Sequence, residues 1–240
     1  MKWILALVLI IASYLLGNIS PSTILAKRSG HDIKSEGSGN AGTTNALRVL
    51  GAKAALITLI VDVGKGFLAT WISYRIMFFY GENYVPIDEM GGVWLAETVS
   101  AWCGLAVFLG HIWPVLLGFK GGKGVATAFG VLLAIDWVSA LICLGIVIVV
   151  VVITRMVSLG SILAALCFPF IWLYRILAPA TSDAPLVIDS FSVGLFSVFI
   201  GPMFLPLIIM VVLLLVKHRA NIGRIIKGEE NKISFNKNKE

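Results

Sequence analysis

Apolar runs of bilayer-crossing length recur along the chain, at 3–26, 54–80, 94–117, 125–153, 157–178 and 190–216. An α-helix needs roughly 20 such residues to cross the hydrocarbon core. Backbone polar groups must be satisfied internally in lipid, and a barrel would show short alternating segments, so the runs predict helices. A mean hydropathy of +0.95 with only 13% charged residues excludes an ordinary soluble domain. The fold class expected is therefore an all-α integral membrane protein, one membrane domain over residues 1–240 with a basic tail at 217–240.

Charge sorts the polar islands between the runs into two kinds. Island 27–53 carries Lys27, Arg28, Lys34, Arg48 and Lys53, island 118–124 carries Lys120 and Lys123, and the stretch from Lys217 is the most basic. Islands 81–93 and 179–189 carry Glu82, Asp88, Glu89, Asp183 and Asp189 with no Lys or Arg. Lysine and arginine mark the cytoplasmic side. The run 125–153 is about 29 residues, long for one untilted span, and crossing once would carry Arg155 and the basic tail outside. A turn at "IDW" around Asp136 brings both back, predicting two short spans, 125–135 and 138–154. The result is a bundle of seven transmembrane helices, at approximately 3–26, 54–80, 94–117, 125–135, 138–154, 157–178 and 190–216. The amino terminus lies outside and the carboxyl terminus inside. The first run lacks an A-x-A-like cleavage site, so it reads as a retained span.

Small residues on these helices (Gly64, Gly66, Gly104, Ala126, Ala128, Gly160, Ala164 and Ala165) suit close backbone approach within a bundle. Cys103, Cys143 and Cys167 sit apart in apolar runs with no CxxC spacing, which reads as packing, not a disulfide framework or zinc site.

Three polar clusters fall on the predicted cytoplasmic side. In "KSEGSGNAGTTNALR", Lys34 to Arg48, the glycines Gly37, Gly39 and Gly42 permit positive φ and close approach to a ligand. Ser38, Asn40, Thr43, Thr44 and Asn45 supply short hydrogen-bonding side chains before a helix start, and Arg48 can fork two bonds to a phosphate. The alternative is a flexible loop between spans. In "GHIWPVLLGFKGGKGVAT", Gly110 to Thr127, Lys120 and Lys123 sit in a glycine-rich turn running into a helix. That is either a phosphate cradle or a positive-inside anchor; it is not a P-loop, because GxxxxGK[ST] is absent. His111, inside a span, is a functional candidate or a structural hydrogen-bond partner. "KHRANIGRIIKGEENK", Lys217 to Lys232, can simply anchor to anionic headgroups, but Asn221 and Glu229 are not needed for that. Within the second span Asp62 and Lys65, at i and i+3, can pair as a buried structural element. Three basic, glycine-rich elements on one face of an apolar bundle suggest a ligand with a phosphorylated head and an acyl or lipid tail.

At these residues the chain resembles the bacterial acyl-phosphate:glycerol-3-phosphate acyltransferases (PlsY), whose three signature motifs look like "DIKSEGSGNAGTTNALR", "GHIWPVLLGFKGGKGVAT" and "HRANIGRIIKGEENK" in the same order. Lys34, where the family often has Arg, and Thr43, where Ala is common, are the visible departures. The resemblance implies transfer of a fatty acyl group from acyl phosphate to the 1-hydroxyl of sn-glycerol 3-phosphate, giving lysophosphatidic acid and phosphate, the first acylation of phospholipid synthesis. It implies catalytic roles for Ser38, Arg48 and Lys120. Substrate-binding roles fall to Lys34, Gly39, Asn40, Thr44, Asn45, His111, Lys123, His218 and Asn221, and a structural one to Glu229 beside Asp62 and Lys65. Substrate phosphate, not a protein base, would accept the hydroxyl proton. No Ser-His-Asp set and no His-x4-Asp signature is present, which fits positioning and electrostatic stabilisation without an acyl-enzyme.

The expected partners are the two substrates, membrane lipids and an enzyme that produces acyl phosphate, with no metal, cofactor or nucleic acid. The expected location is the bacterial cytoplasmic membrane, as a multi-pass protein. A transporter or flippase for phosphorylated metabolites or lipids is the competing reading, and a lipid-binding scaffold subunit a third. Polar residues gathered on one face, with few charges at mid-membrane, weigh against a transport path.

Overall fold

The computed structural model describes residues 1–84, 91–177 and 203–233. They form α1 (Lys2–Gly17), α2 (Pro21–Arg28), α3 (Thr43–Leu50), α4 (Ala52–Tyr84), α5 (Gly91–Ile112), α6 (Val125–Ile135), α7 (Trp137–Thr154), α8 (Val157–Leu177), α9 (Phe204–Lys217) and α10 (Arg219–Ile226). By length and composition, five segments among the described residues can cross a membrane: Lys2–Arg28, Ala52–Tyr80, Leu95–Leu117, Trp137–Thr154 and Val157–Arg175. A sixth arises if α9 and α10, bent by 52° at His218, count as one. Residues 178–202, which hold the start of the expected 190–216 span, lie outside the described residues.

The bundle is inverted relative to a soluble protein. On α7 the buried positions are Ser139, Ala140 and Cys143, whereas Ile148, Val149, Val152 and Ile153 are more than half exposed. Lipid is as apolar as leucine, so burial selects small residues that let backbones approach. Between α4 and α6 this is literal. A Cβ on Gly66 would strike the Thr127 carbonyl, and one on Gly130 the Val63 carbonyl. Gly17 and Gly110 join α1 to α5 in the same way. Gly64, singled out with Gly66, faces open space instead.

The first apolar run, read as continuous over 3–26, is broken at Asn18–Ser20, because Pro21 opens a new helix at its first position. The break is held from outside. Lys65 donates to the carbonyls of Gly17 (3.1 Å) and Ile19 (2.7 Å), and Asn18 Oδ1 accepts from the Leu116 amide at 3.1 Å. The second break falls at Asp136, between α6 and α7. Its carboxylate caps α7 through the amides of Val138 and Ser139 (3.2 and 3.3 Å) and accepts from Ser139 Oγ and Arg175 Nε (2.6 and 3.0 Å). At 11 residues, α6 is only about 16 Å long. Its buried Thr127, Gly130, Val131, Ala134 and Ile135 pack it into the bundle.

Candidate active site

The first polar loop is folded around one side chain. Asn45, 1% exposed, donates from Nδ2 to the carbonyls of Ile33 and Glu36 (both 3.0 Å) and accepts the Ser38 amide on Oδ1 (2.7 Å). Gly37 and Gly39 sit at φ +62° and +68°, and a Cβ on Gly37 would strike Asn45 Oδ1. The loop is therefore a built turn that presents Ser38. Helix α3 begins just after it with no side-chain cap, so its first amides remain available to an anion.

The second loop closes back on α5. The Gly122 amide donates to the His111 carbonyl at 3.2 Å, and the His111 ring faces Gly122 through Nε2. On its other side His111 Nδ1 lies 2.9 Å from Lys65 Nζ and 3.4 Å from Asp62 Oδ1. Asp62 and Lys65 pair at 2.8 Å and are almost fully buried. The buried pair is thus a trio, and Lys65 joins the α1–α2 break to the second loop.

The third element hangs on Glu230. Its carboxylate accepts from Ser158 Oγ (2.8 Å), Asn221 Nδ2 (2.7 Å) and Arg224 Nε (3.0 Å). Asn221 Oδ1 in turn accepts from Lys123 Nζ at 2.5 Å, locking the third element to the second. Burial alone would raise the Glu230 carboxyl, but the three hydrogen bonds and the Arg224 charge override it and hold it below its usual range. His218 Nδ1–H donates to the Leu214 carbonyl at 2.8 Å, which leaves Nε2 as an acceptor in the neutral ring. Burial pushes Lys123 down to about 8, with Glu230 pulling against it and Arg224, Arg48 and Lys217 reinforcing it.

These elements meet at one cavity of about 330 Å3. Its polar end carries Ser38, Asn40, Thr43, Thr44, Asn45, Arg48, His111, Lys123, Ser158, His218, Asn221, Arg224 and Asn231 with the carboxylates of Asp62 and Glu230; beyond them the lining is mainly apolar side chains of α6, α7, α8 and α9. Arg48 has no ion pair or hydrogen bond among the described residues and is free to take a ligand. Not every residue singled out in the sequence arrives there. Lys120 and Gly39 are exposed and line no part of the cavity. Lys34 donates to the Leu117 carbonyl at 3.2 Å and lines a separate hollow with Thr23, Lys27 and His31. Asn45 touches the cavity, but its amide is engaged by the loop backbone. Glu229 is exposed, and the structural carboxylate is its neighbour Glu230. Arg224, Ser158 and Gly124 also contribute and were not singled out. Among the described residues no cluster of three His, Cys, Asp or Glu side chains is placed to hold a metal ion.

Residues 7–228 match the family model described as glycerol-3-phosphate acyltransferase. A glycerol-3-phosphate acyltransferase of Clostridioides difficile (strain 630) is 39% identical over 96% of this chain and 97% of its own length. One from Chlorobaculum tepidum is 40% identical over 95% and 97%. Crystal structures of PlsY, an integral membrane glycerol 3-phosphate acyltransferase, superpose in its glycerol 3-phosphate form (TM-score 0.73, 32% identity, 95% of this chain and 96% of that one). Its lysophosphatidic acid form superposes with TM-score 0.71, 31% identity and 95% of each chain. With nearly the whole chain matched, and with the three motifs converging on one cavity, this chain belongs to the glycerol-3-phosphate acyltransferase family.

Proposed function

We propose that the chain transfers a fatty acyl group from acyl phosphate to the 1-hydroxyl of sn-glycerol 3-phosphate, releasing lysophosphatidic acid and inorganic phosphate. One observation carries this: a single cavity is polar and basic at one end and apolar at the other. That matches a donor with a phosphate head and a hydrocarbon tail, and an acceptor with a second phosphate. Arg48, Lys123 and Arg224 hold the phosphates, Arg48 as a bidentate clamp and Lys123 as a point charge. Ser38 and the first amides of α3 face the carbonyl oxygen as charge develops on it. The glycerol 1-oxygen attacks the acyl carbon, its proton passes to a phosphate oxygen of the substrate, and the bond from the acyl carbon to the departing phosphate oxygen breaks. Acyl phosphate brings its own leaving group, so the reaction proceeds by positioning without an acyl-enzyme.

The chain acts as one membrane domain in the bacterial cytoplasmic membrane, with seven spans, the amino terminus outside and the site facing the cytoplasm. The sorting of lysine and arginine supports that orientation. Its donor then comes from an enzyme that makes acyl phosphate. In the test, purified protein is mixed with a long-chain acyl phosphate and glycerol 3-phosphate. Equal release of phosphate and lysophosphatidic acid is expected, and its absence would overturn the reading. Use of acyl-CoA in place of acyl phosphate would overturn the choice of donor. Arg48→Ala is expected to lower kcat/KM at least a hundredfold; full activity in that variant would remove Arg48 from the site.

A further inference from the structure

Among the described residues, the apolar lining of the cavity ends at a definite depth. Along α8 its lining runs from Ser158, at the polar end, to Phe168; along α9 it runs from His218 to Leu207; on α7 it goes no deeper than Cys143. Ten or eleven helical residues separate the ends, a depth of about 15–16 Å. α7 and α8 continue six and nine residues beyond these points, to Trp137 and Leu177, and α9 three, to Phe204, so among the described residues the cavity stops short of the helix ends. At that end of the described lining, beginning with Phe168, is a stack of three rings. Phe168 lies on Trp172 (centroids 6.3 Å apart, planes 20° apart), and Trp172 on Phe204 (6.1 Å, 14°). Phe168 and Trp172 are 4% and 7% exposed, and Phe168 alone of the three lines the cavity.

Resting on the acyl-transfer reading above, we infer that the Phe168–Trp172–Phe204 stack sets the length of acyl chain the enzyme accepts, with Phe168 the specificity-determining residue. An extended chain advances about 1.25 Å per carbon given tetrahedral carbon–carbon bonds of ~1.5 Å. The space between the level of Ser158 and Phe168 therefore takes roughly 12 carbons before the chain meets the ring. Longer chains must bend or displace a packed aromatic side chain. Ala164 and Ala165, buried one turn above Phe168, also line this stretch. A larger side chain there raises the floor by about one turn, or ~5 Å.

The experiment compares kcat/KM for acyl phosphates of 10 to 18 carbons, with glycerol 3-phosphate saturating, in four proteins: wild type, Phe168→Ala, Phe168→Leu and Ala164→Leu. Phe168→Ala is expected to raise the ratio of the 18-carbon to the 12-carbon substrate at least fivefold, and Phe168→Leu by a smaller factor. Ala164→Leu is expected to lower that ratio at least fivefold and to move the optimum toward 10 carbons. If Phe168→Ala fails to fold in detergent, the leucine variants carry the same comparison in both directions. An unchanged chain-length profile in the folded variants would overturn the inference. Absence of turnover with every chain length in the wild type would overturn the acyl-transfer reading instead.

Discussion

Replacing Lys123 with methionine keeps an unbranched side chain and removes the ammonium group. That ammonium sits at the polar end of the cavity, 2.5 Å from Asn221 Oδ1, and shares the site with Arg48 and Arg224. A hydrogen bond to a charged group contributes about 1.5–3 kcal/mol. Loss of one such contact to substrate phosphate corresponds to a fall in kcat/KM of roughly 10- to 150-fold. The pH profile supplies an independent signature. Burial brings Lys123 down to about 8, and kcat/KM reports the ionisations of the free enzyme. Activity in the wild type should therefore decline above pH 8, approaching tenfold per unit, while a phosphate monoester loses its second charge only below about pH 6. Stability moves the other way. The unfolded lysine ionises near 10.4, so between about 8 and that value the folded state holds fewer protons than the unfolded one, and folding gains as pH rises. Lys123→Arg, which does not titrate in this range, should remove the alkaline limb while retaining part of the activity. The assay is initial-rate release of phosphate from pH 6 to 10, with a thermal melt in parallel. A methionine variant within threefold of wild type, or a flat wild-type profile to pH 10, would refute this account of Lys123.

Glu230→Gln places an amide donor beside the Arg224 guanidinium or the Asn221 amide, both of which donate to the carboxylate. It should destabilise the protein by about 1–3 kcal/mol, read as a lower melting temperature in detergent together with reduced activity. Because the folded Glu230 carboxyl is held low, its contribution is present above the ordinary glutamate range and is lost as pH falls below it, so the difference between the melts of variant and wild type should shrink in acid. Gly122→Ala should abolish most activity, with helical content retained. Its Cβ would collide with His111 Nε2 and lie 3.1 Å from the Ala41 carbonyl, where the first and second loops touch. Lys120→Ala should cost less than threefold in kcat/KM, because Lys120 is exposed and outside the cavity lining; a hundredfold loss would place it on substrate after all.

Helices were legible in the sequence wherever the solvent dictated them. Runs of apolar residues appear as α4, α5, α7 and α8, and the length of the run 125–153 together with the side to which Arg155 and the basic tail must return pointed to the stretch where α6 hands over to α7. The break at Asn18–Ser20 has a readable sign in Pro21 and its polar neighbours Asn18, Ser20, Ser22 and Thr23, which the reading of 3–26 as one apolar run passes over. What stayed hidden was which polar residues meet. Nothing near Lys65 indicates that its ammonium reaches the carbonyls of Gly17 and Ile19 and the ring of His111, 46 positions away. Glu229 and Glu230 are chemically identical neighbours in "GEEN". Only the turn after α10 decides that one faces Ser158, Asn221 and Arg224 while the other faces out. Motif membership likewise did not distinguish Asn45, which shapes its loop, from Arg48, which stands free beside it.

The two kinds of polar residue follow from one physical requirement. In a bundle whose exterior is lipid, a charge near the membrane face is costly unless something answers it. Asp62, Lys65, Asp136 and Glu230 are answered by the protein itself: Asp62 by the Lys65 ammonium on its own helix, and Lys65, Asp136 and Glu230 by hydrogen-bond partners on another helix or loop. Arg48 is not, and Lys123 is met by a neutral amide oxygen and not by a carboxylate. The cavity thus retains more positive charge than its own carboxylates offset, and a substrate carrying phosphate completes the balance. The same asymmetry explains why the apolar and basic ends share one space. A site that must draw an acyl chain from the bilayer and a phosphorylated alcohol from water has to sit where both solvents reach it.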